Sequence, residues 1–148
     1  MAAAAFARNV DHFTGVDLSP RMIEKARATG LYAEIEVTDM LDGLRGRPAG
    51  SAELILAADA MVYVADLAPV LNEVRRVLVA GGLLAFTAET HEGDGVIIGE
   101  GLRYAHGAPC VRAAIEAAGL RLSQFEALSA RNEDNRPVPG LVVVAAKS

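Results

Sequence analysis

Three aspartates in the first sixty residues each close a short strand-like run: Asp17 after residues 13–16, Asp39 after residues 33–38, and Asp59 after residues 52–58. A carboxylate can accept charge-assisted hydrogen bonds, each worth about 1.5–3 kcal/mol. Two such bonds match the 2′,3′-diol of a ribose. Asp17 is the best placed of the three, because the strand-like run FTGVD leads straight into Ser19-Pro20, an N-cap followed by proline at the first helical position. In open α/β sheets the carboxyl ends of the strands form the edge where nucleotide-like ligands sit. A second reading stands beside it: Asp17 merely caps or solvates a strand end. Further along, His91, Tyr104 and His106 fall in or beside a glycine-rich stretch without periodicity, residues 89–107. Stretches of that length in a compact domain are functional or mobile.

The elements that must position these groups follow from patterning. Residues 2–9 read as the end of a helix. Met22, Ile23 and Ala26 recur at helical spacing opposite Arg21, Glu24, Lys25 and Arg27, and Gly30 stops that helix. Residues 33–38 alternate as a strand, 41–50 are turn-rich and read as a connector, and 52–58 form a continuous apolar strand. After a semi-apolar loop at 60–65, Asp66 is the expected N-cap of an amphipathic helix. Leu67, Val70, Leu71, Val74, Val77 and Leu78 line its inner face, Pro69 lies in its first turn and Gly81-Gly82 end it. A strand at 83–88, a helix at 109–118 with Val111, Ile115 and Ala118 inward, and two strands at about 122–131 and 141–147 complete the chain. The polar, proline-bearing linker 132–140 makes those last two an antiparallel pair.

With 148 residues and 52% hydrophobic content, the chain is long enough for one domain with a real core. The net charge of -5 and the lack of a basic stripe argue against nucleic-acid binding. Cys110 is the single cysteine, read as a core residue; it excludes an intrachain disulfide and fits a reducing, cytoplasmic setting. The start MAAAAFARNV lacks the basic and apolar regions of a signal peptide, and no run approaches the ~20 apolar residues of a membrane span. No His/Cys/Asp cluster has metal-ligand spacing.

The order strand-acid-helix, strand-Asp, strand-Asp, helix-GG-strand, helix and closing hairpin resembles the class I S-adenosylmethionine-dependent methyltransferases. The matching stretches are GVDLSPRMIEKA, VTDM, AELILAADAMVYV and LNEVRRVLVAGGLLAFTAET. RYAH at 103–106 and the terminal RPVPGLVVVA are similar to a bacterial group of predicted methyltransferases whose longer members carry tetratricopeptide repeats. The resemblance implies an α/β, Rossmann-like three-layer sandwich with a mostly parallel sheet and a C-terminal antiparallel hairpin. In the family's numbering the order would be 3-2, a gap or closure, then 4-5-7-6. The family's opening strand and glycine-rich loop have no counterpart here, so residues 1–148 are expected to be a single domain lacking its first strand. S-adenosylmethionine is the implied cofactor. By the same resemblance, Asp17 would hold its ribose hydroxyls with Leu18 nearby, Asp39 and Met40 its adenine, and Asp59 would face the methionine part and the substrate.

The implied reaction is an in-line methyl displacement, in which the protein supplies positioning and sometimes a general base. His91, Tyr104 and His106 are the candidates for a base or an orienting group, and each reads equally as a solvated loop residue. Glu89 faces the site or caps a loop, Arg103 reads as an ion-pair residue or the partner of a substrate carboxylate, and His12 as structural. The expected partner is a small-molecule or protein methyl acceptor, with neither nucleic acid nor membrane, and with self-association or an upstream segment completing the sheet. Two alternatives are a non-catalytic remnant or interaction domain that keeps the fold without cofactor, and another nucleotide-binding module.

Overall fold

A computed structural model describes residues 2–129 and 131–148 of the chain. Contacts divide it into two compact units, one ending at Arg47 and the other beginning at Pro48. The first holds α1 (Ala2–Phe6), β1 (Phe13–Asp17), α2 (Pro20–Ala28), β2 (Tyr32–Val37) and α3 (Met40–Arg45). β1 and β2 pair in parallel, with Asp17 opposite Val37. The Ser19 hydroxyl accepts from the Met22 N–H at 3.4 Å and opens α2, and Pro20 follows where its missing N–H costs nothing. Ile23 and Ala26 are buried, but Met22 is 41% exposed, so the inward stripe of α2 is narrower than the spacing predicts.

Residues 41–50, expected as a connector, contain most of α3 instead. The helix is too short to show a period in the sequence, and what starts it is a cap: Asp39 Oδ1 accepts from the Asp42 N–H at 2.9 Å. Gly43 lets it rest on β1, since a Cβ there would lie 2.8 Å from Val16 Cγ1.

The second unit runs β3 (Ala52–Ala57), a 3-10 turn (Met61–Tyr63), α4 (Ala68–Val77), β4 (Leu78–Glu89), β5 (Val96–Ile98), β6 (Tyr104–His106), α5 (Ala108–Ala117), β7 (Leu120–Ala127), a small hairpin of β8 (Asn132–Glu133) and β9 (Arg136–Pro137), and β10 (Gly140–Lys147). β10 lies antiparallel between β4 and β7, while β3 and β6 join β4 in parallel and β5 pairs antiparallel with β6. The sheet is therefore mixed, with the antiparallel C-terminal pair expected from the linker. The orders β2-β1 and β3-β4-β10-β7, each within its own sheet, are those the resemblance implies. Among the described residues β1 is paired along one edge, by β2, and β3 along one edge, by β4.

The core of this unit is the expected one. Leu67, Val70, Leu71, Val74 and Val77 of the α4 segment, Val111 and Ile115 of α5, and Leu84, Leu141 and Val143 of the sheet are all buried. Each such side chain contributes about 1.5–3 kcal/mol relative to exposure. Two details differ from the sequence reading. Asp66 accepts from the Ala68 N–H at 3.0 Å, yet the residue in the cap position is Leu67. α4 also ends earlier than expected, because Leu78 is already extended and Gly81-Gly82 lie inside β4. The stretch 89–107 is not irregular throughout: it folds back as the β5–β6 hairpin.

Candidate functional site

Because β1 and β2 are parallel, Asp17 and Asp39 emerge at the same edge of the first unit's sheet, each followed by a helix. The Thr38 N–H donates to the Asp17 carbonyl at 3.2 Å and holds the two chain turns together. Asp17 is exposed and uses one carboxylate oxygen, Oδ1, to accept from the Ser19 N–H at 2.8 Å. The capping reading of Asp17 is thus true of the structure, and it occupies one of two oxygens. Leu18 is 70% exposed next to it. Asp39 is half-buried and caps α3; the Asp42 N–H holds its carboxyl below the usual aspartate range. Met40 is half-buried beside it. This edge offers two carboxylates one strand apart, with apolar surface between strand end and helix. Such a set can accept from a sugar diol and lie against a flat base.

At the corresponding edge of the second unit, a chain of ion pairs joins four segments. Glu89 ends β4, is 14% exposed in its side chain, and its Oε1 accepts from Arg103 Nε at 2.6 Å and Arg131 Nε at 2.8 Å. Arg103, 12% exposed, also donates through Nη2 to Asp59 Oδ1 and through Nη1 to the Tyr63 hydroxyl at 3.1 Å, and its guanidinium lies 5.3 Å from the Tyr63 ring centre. Burial works against the charge of Arg103, but Glu89 and Asp59 outweigh it and hold its pKa above the ordinary value. Arg131 continues to Glu133 at 3.1 Å. Asp59 follows β3 with φ of +54°, and its N–H donates to Thr87 Oγ1 at 2.9 Å.

The hairpin candidates are separated by their surroundings. His91 is occupied by its own loop, its Nδ1 accepting from the Gly93 N–H at 3.0 Å and its Nε2 lying 3.3 Å from the Gly95 carbonyl. His106 is fully buried in β6, and neither ring nitrogen has a hydrogen-bond partner. Burial pushes its pKa below the usual histidine value; the Val64 and Ala65 backbone opposes this and the charge of His91 adds to it. Tyr104 is half-buried, opposite Ile98. A groove of ≈ 360 Å³ lies beside His91, lined by Thr90, Gly93, Pro109, Pro139 and Leu141 among others. Cys110 is half-buried rather than a core residue, and His12 is exposed. Among the described residues no group of three His, Cys, Asp or Glu could hold a metal ion. No described helix is long and apolar enough to cross a membrane.

The family described as a methyltransferase domain matches residues 1–86, more than half of the chain. The chain belongs to this methyltransferase family. The matched segment carries all three strand-end acids, Asp17, Asp39 and Asp59. Solved methyltransferase structures share the fold. One, an S-adenosylmethionine-dependent methyltransferase of Mesorhizobium loti, is 22% identical, with a TM-score of 0.76 over 99% of this chain and 85% of that one. A putative S-adenosylmethionine-dependent methyltransferase of Listeria monocytogenes is 15% identical, with a TM-score of 0.78 over 99% and 85%. The 1,6-didemethyltoxoflavin-N1-methyltransferase of Burkholderia thailandensis, solved with 1,6-didemethyltoxoflavin and S-adenosylhomocysteine bound, is 14% identical, with a TM-score of 0.76 over 98% and 65%. No curated protein matches the chain.

For this methyltransferase domain, the sequence located the strand-end acids and singled out Glu89 and Arg103, but missed Tyr63 and Arg131. Tyr63 sits in a turn without periodicity and Arg131 follows a strand end. Nothing local marks either as the partner of a group 40 or 42 residues away.

Proposed function

We propose that this chain is an S-adenosylmethionine-dependent methyltransferase domain acting on a small-molecule or protein acceptor. The observation that carries the proposal is the shared edge of β1 and β2, where Asp17 and Asp39 stand one strand apart beside the exposed Leu18. When bound, the cofactor supplies an electrophilic methyl group on a sulfonium. The residues present fit its nucleoside: Asp17 accepts from the ribose hydroxyls, Asp39 from the adenine amino group, and Leu18 and Met40 offer the apolar surface a purine needs. His91, Tyr104 and His106 are the proposed base or orienting groups. Of these, His91 and Tyr104 reach solvent, whereas His106 is fully buried in β6. The groove beside His91 is in the size range of a small-molecule pocket, and we assign it to the acceptor.

The test is a calorimetric titration of S-adenosylhomocysteine into the chain, with Asp17→Ala alongside. Loss of one charge-assisted bond corresponds to a tenfold or greater fall in affinity. Saturable binding to the wild-type chain, weakened at least that much by the substitution, supports the assignment. Equal binding by both proteins would remove Asp17 from the site, and absence of binding to the wild type would overturn the cofactor reading for this chain.

A further inference from the structure

We propose that β5 is a docking edge for an extended segment of a partner protein, apolar at its centre and basic at both ends. β5 closes one end of the second unit's sheet, and among the described residues it is paired along one edge, by β6. That pairing fixes which backbone groups remain. The Gly107 N–H donates to the Gly95 carbonyl and the Gly99 N–H to the Arg103 carbonyl, both at 2.8 Å, with Ile97 opposite Ala105 between them. Hydrogen-bonded pairs alternate along an antiparallel ladder, so residues 95, 97 and 99 face β6, and Val96 and Ile98 direct N–H and C=O to the open edge. Such an edge is what an added strand binds.

The side chains leave that edge unguarded. Val96, Ile97 and Ile98 are 38%, 48% and 60% exposed, and because they alternate, both faces of the strand are apolar. Proteins protect open edges with charge or proline. β7, at the other end of the sheet, follows that rule with exposed Arg121, Gln124 and Glu126, and β5 does not. Nor is β5 loosely held. Thr90 Oγ1 donates to the His106 carbonyl at 2.7 Å, and a Cβ on Gly107 would collide with the Gly93 carbonyl, so the base of the hairpin is closely seated. A preorganised edge costs less to bind.

Charge selects the occupant. Residues 89–100 carry Glu89, Glu92, Asp94 and Glu100 and no lysine or arginine. Glu89 is spent on Arg103 and Arg131, whereas Glu92 and Asp94 are exposed just before β5. Acids before and after an apolar strand complement lysines or arginines flanking an apolar run. A second copy of the chain fits worse. Two-fold antiparallel pairing of position 96 with position 98 of a copy sets position 94 opposite position 100, aspartate against glutamate at both ends; like charges directly opposite repel. A three-residue edge also buries too little for a stable dimer, and suits a linear segment held weakly and reversibly. This edge lies within the second unit and needs no methyl donor.

The test is an NMR titration of three peptides into the isotope-labelled full chain. They are acetyl-KTVIVTK-amide, acetyl-ETVIVTE-amide, and the lysine peptide N-methylated at its three central residues, which keeps its side chains and charges but loses the central N–H donors. The lysine peptide is expected to shift the amides of β5 and β6 saturably and to bind at least tenfold more tightly than the glutamate peptide at low salt. The N-methylated peptide is expected to bind at least tenfold more weakly than its parent. Asp94→Asn keeps the oxygen that accepts from the Gly95 N–H and is expected to narrow the preference for lysine at least threefold. Equal binding of the lysine and glutamate peptides overturns the basic flanks, and undiminished binding of the N-methylated peptide overturns strand addition. Shifts confined to other elements, or none, overturn the surface. Concentration-dependent shifts at β5 without peptide overturn the choice of occupant in favour of a second copy.

Discussion

His106 gives the sharpest pH test of the second unit. Its ring is fully buried in β6, and both nitrogens lack hydrogen-bond partners. Burial disfavours the charged ring, and the Val64 and Ala65 backbone offsets this only in part. In the unfolded chain the ring regains an ordinary pKa near 6.5, whereas burial lowers it in the folded chain. Below pH ~6.5 the unfolded state binds more protons than the native state, so stability falls as pH falls. The slope reaches about 1.4 kcal/mol per pH unit until the folded-state pKa is passed. Above that window the group has no pH effect. His106→Leu, similar in bulk and apolar, is expected to lose this acid slope and to be unchanged or up to about 1 kcal/mol more stable at pH 8. Urea titrations of both proteins at pH 8, 6.5 and 5.5 measure the difference, and other titrating groups cancel in it. Parallel pH dependences, or destabilisation of the variant by more than about 2 kcal/mol at pH 8, would refute the reasoning by showing that the ring has partners that matter.

Gly43→Ala is expected to destabilise the first unit by about 1–3 kcal/mol, because the new Cβ would meet Val16 Cγ1 at 2.8 Å; the paired Val16→Ala change recovers part of this in a double-mutant cycle. Asp39 serves α3 and, in the proposed function, adenine. Asp39→Asn keeps a capping oxygen and is expected to weaken S-adenosylhomocysteine while leaving the denaturation midpoint near wild type, whereas Asp39→Ala lowers both. Because the native pKa of Asp39 is depressed, the cap stabilises fully above the unfolded aspartate value and weakens as pH falls through the lower native one. A midpoint whose acid dependence is identical in wild type and Asp39→Asn would contradict this.

Much of the fold is legible in local patterning. The strand-like runs before Asp17, Asp39 and Asp59, the buried stripe from Leu67 to Val77, and Val111 with Ile115 form elements of the predicted kind, since those signals act over one or two turns. α3 escaped because six residues show no period, and β5–β6 because glycines around a short hairpin hide its alternation.

By itself the sequence determined the order of the longer strands and of α2, α4 and α5, the acids that follow the strands and the family they belong to. The tertiary structure decided which charges meet. Glu89 takes Arg103 and Arg131 from 14 and 42 residues away, His106 is closed off from solvent, and β10 enters between β4 and β7. These depend on strand register and on how closely segments approach, and a chain's local preferences carry neither until its distant parts have packed.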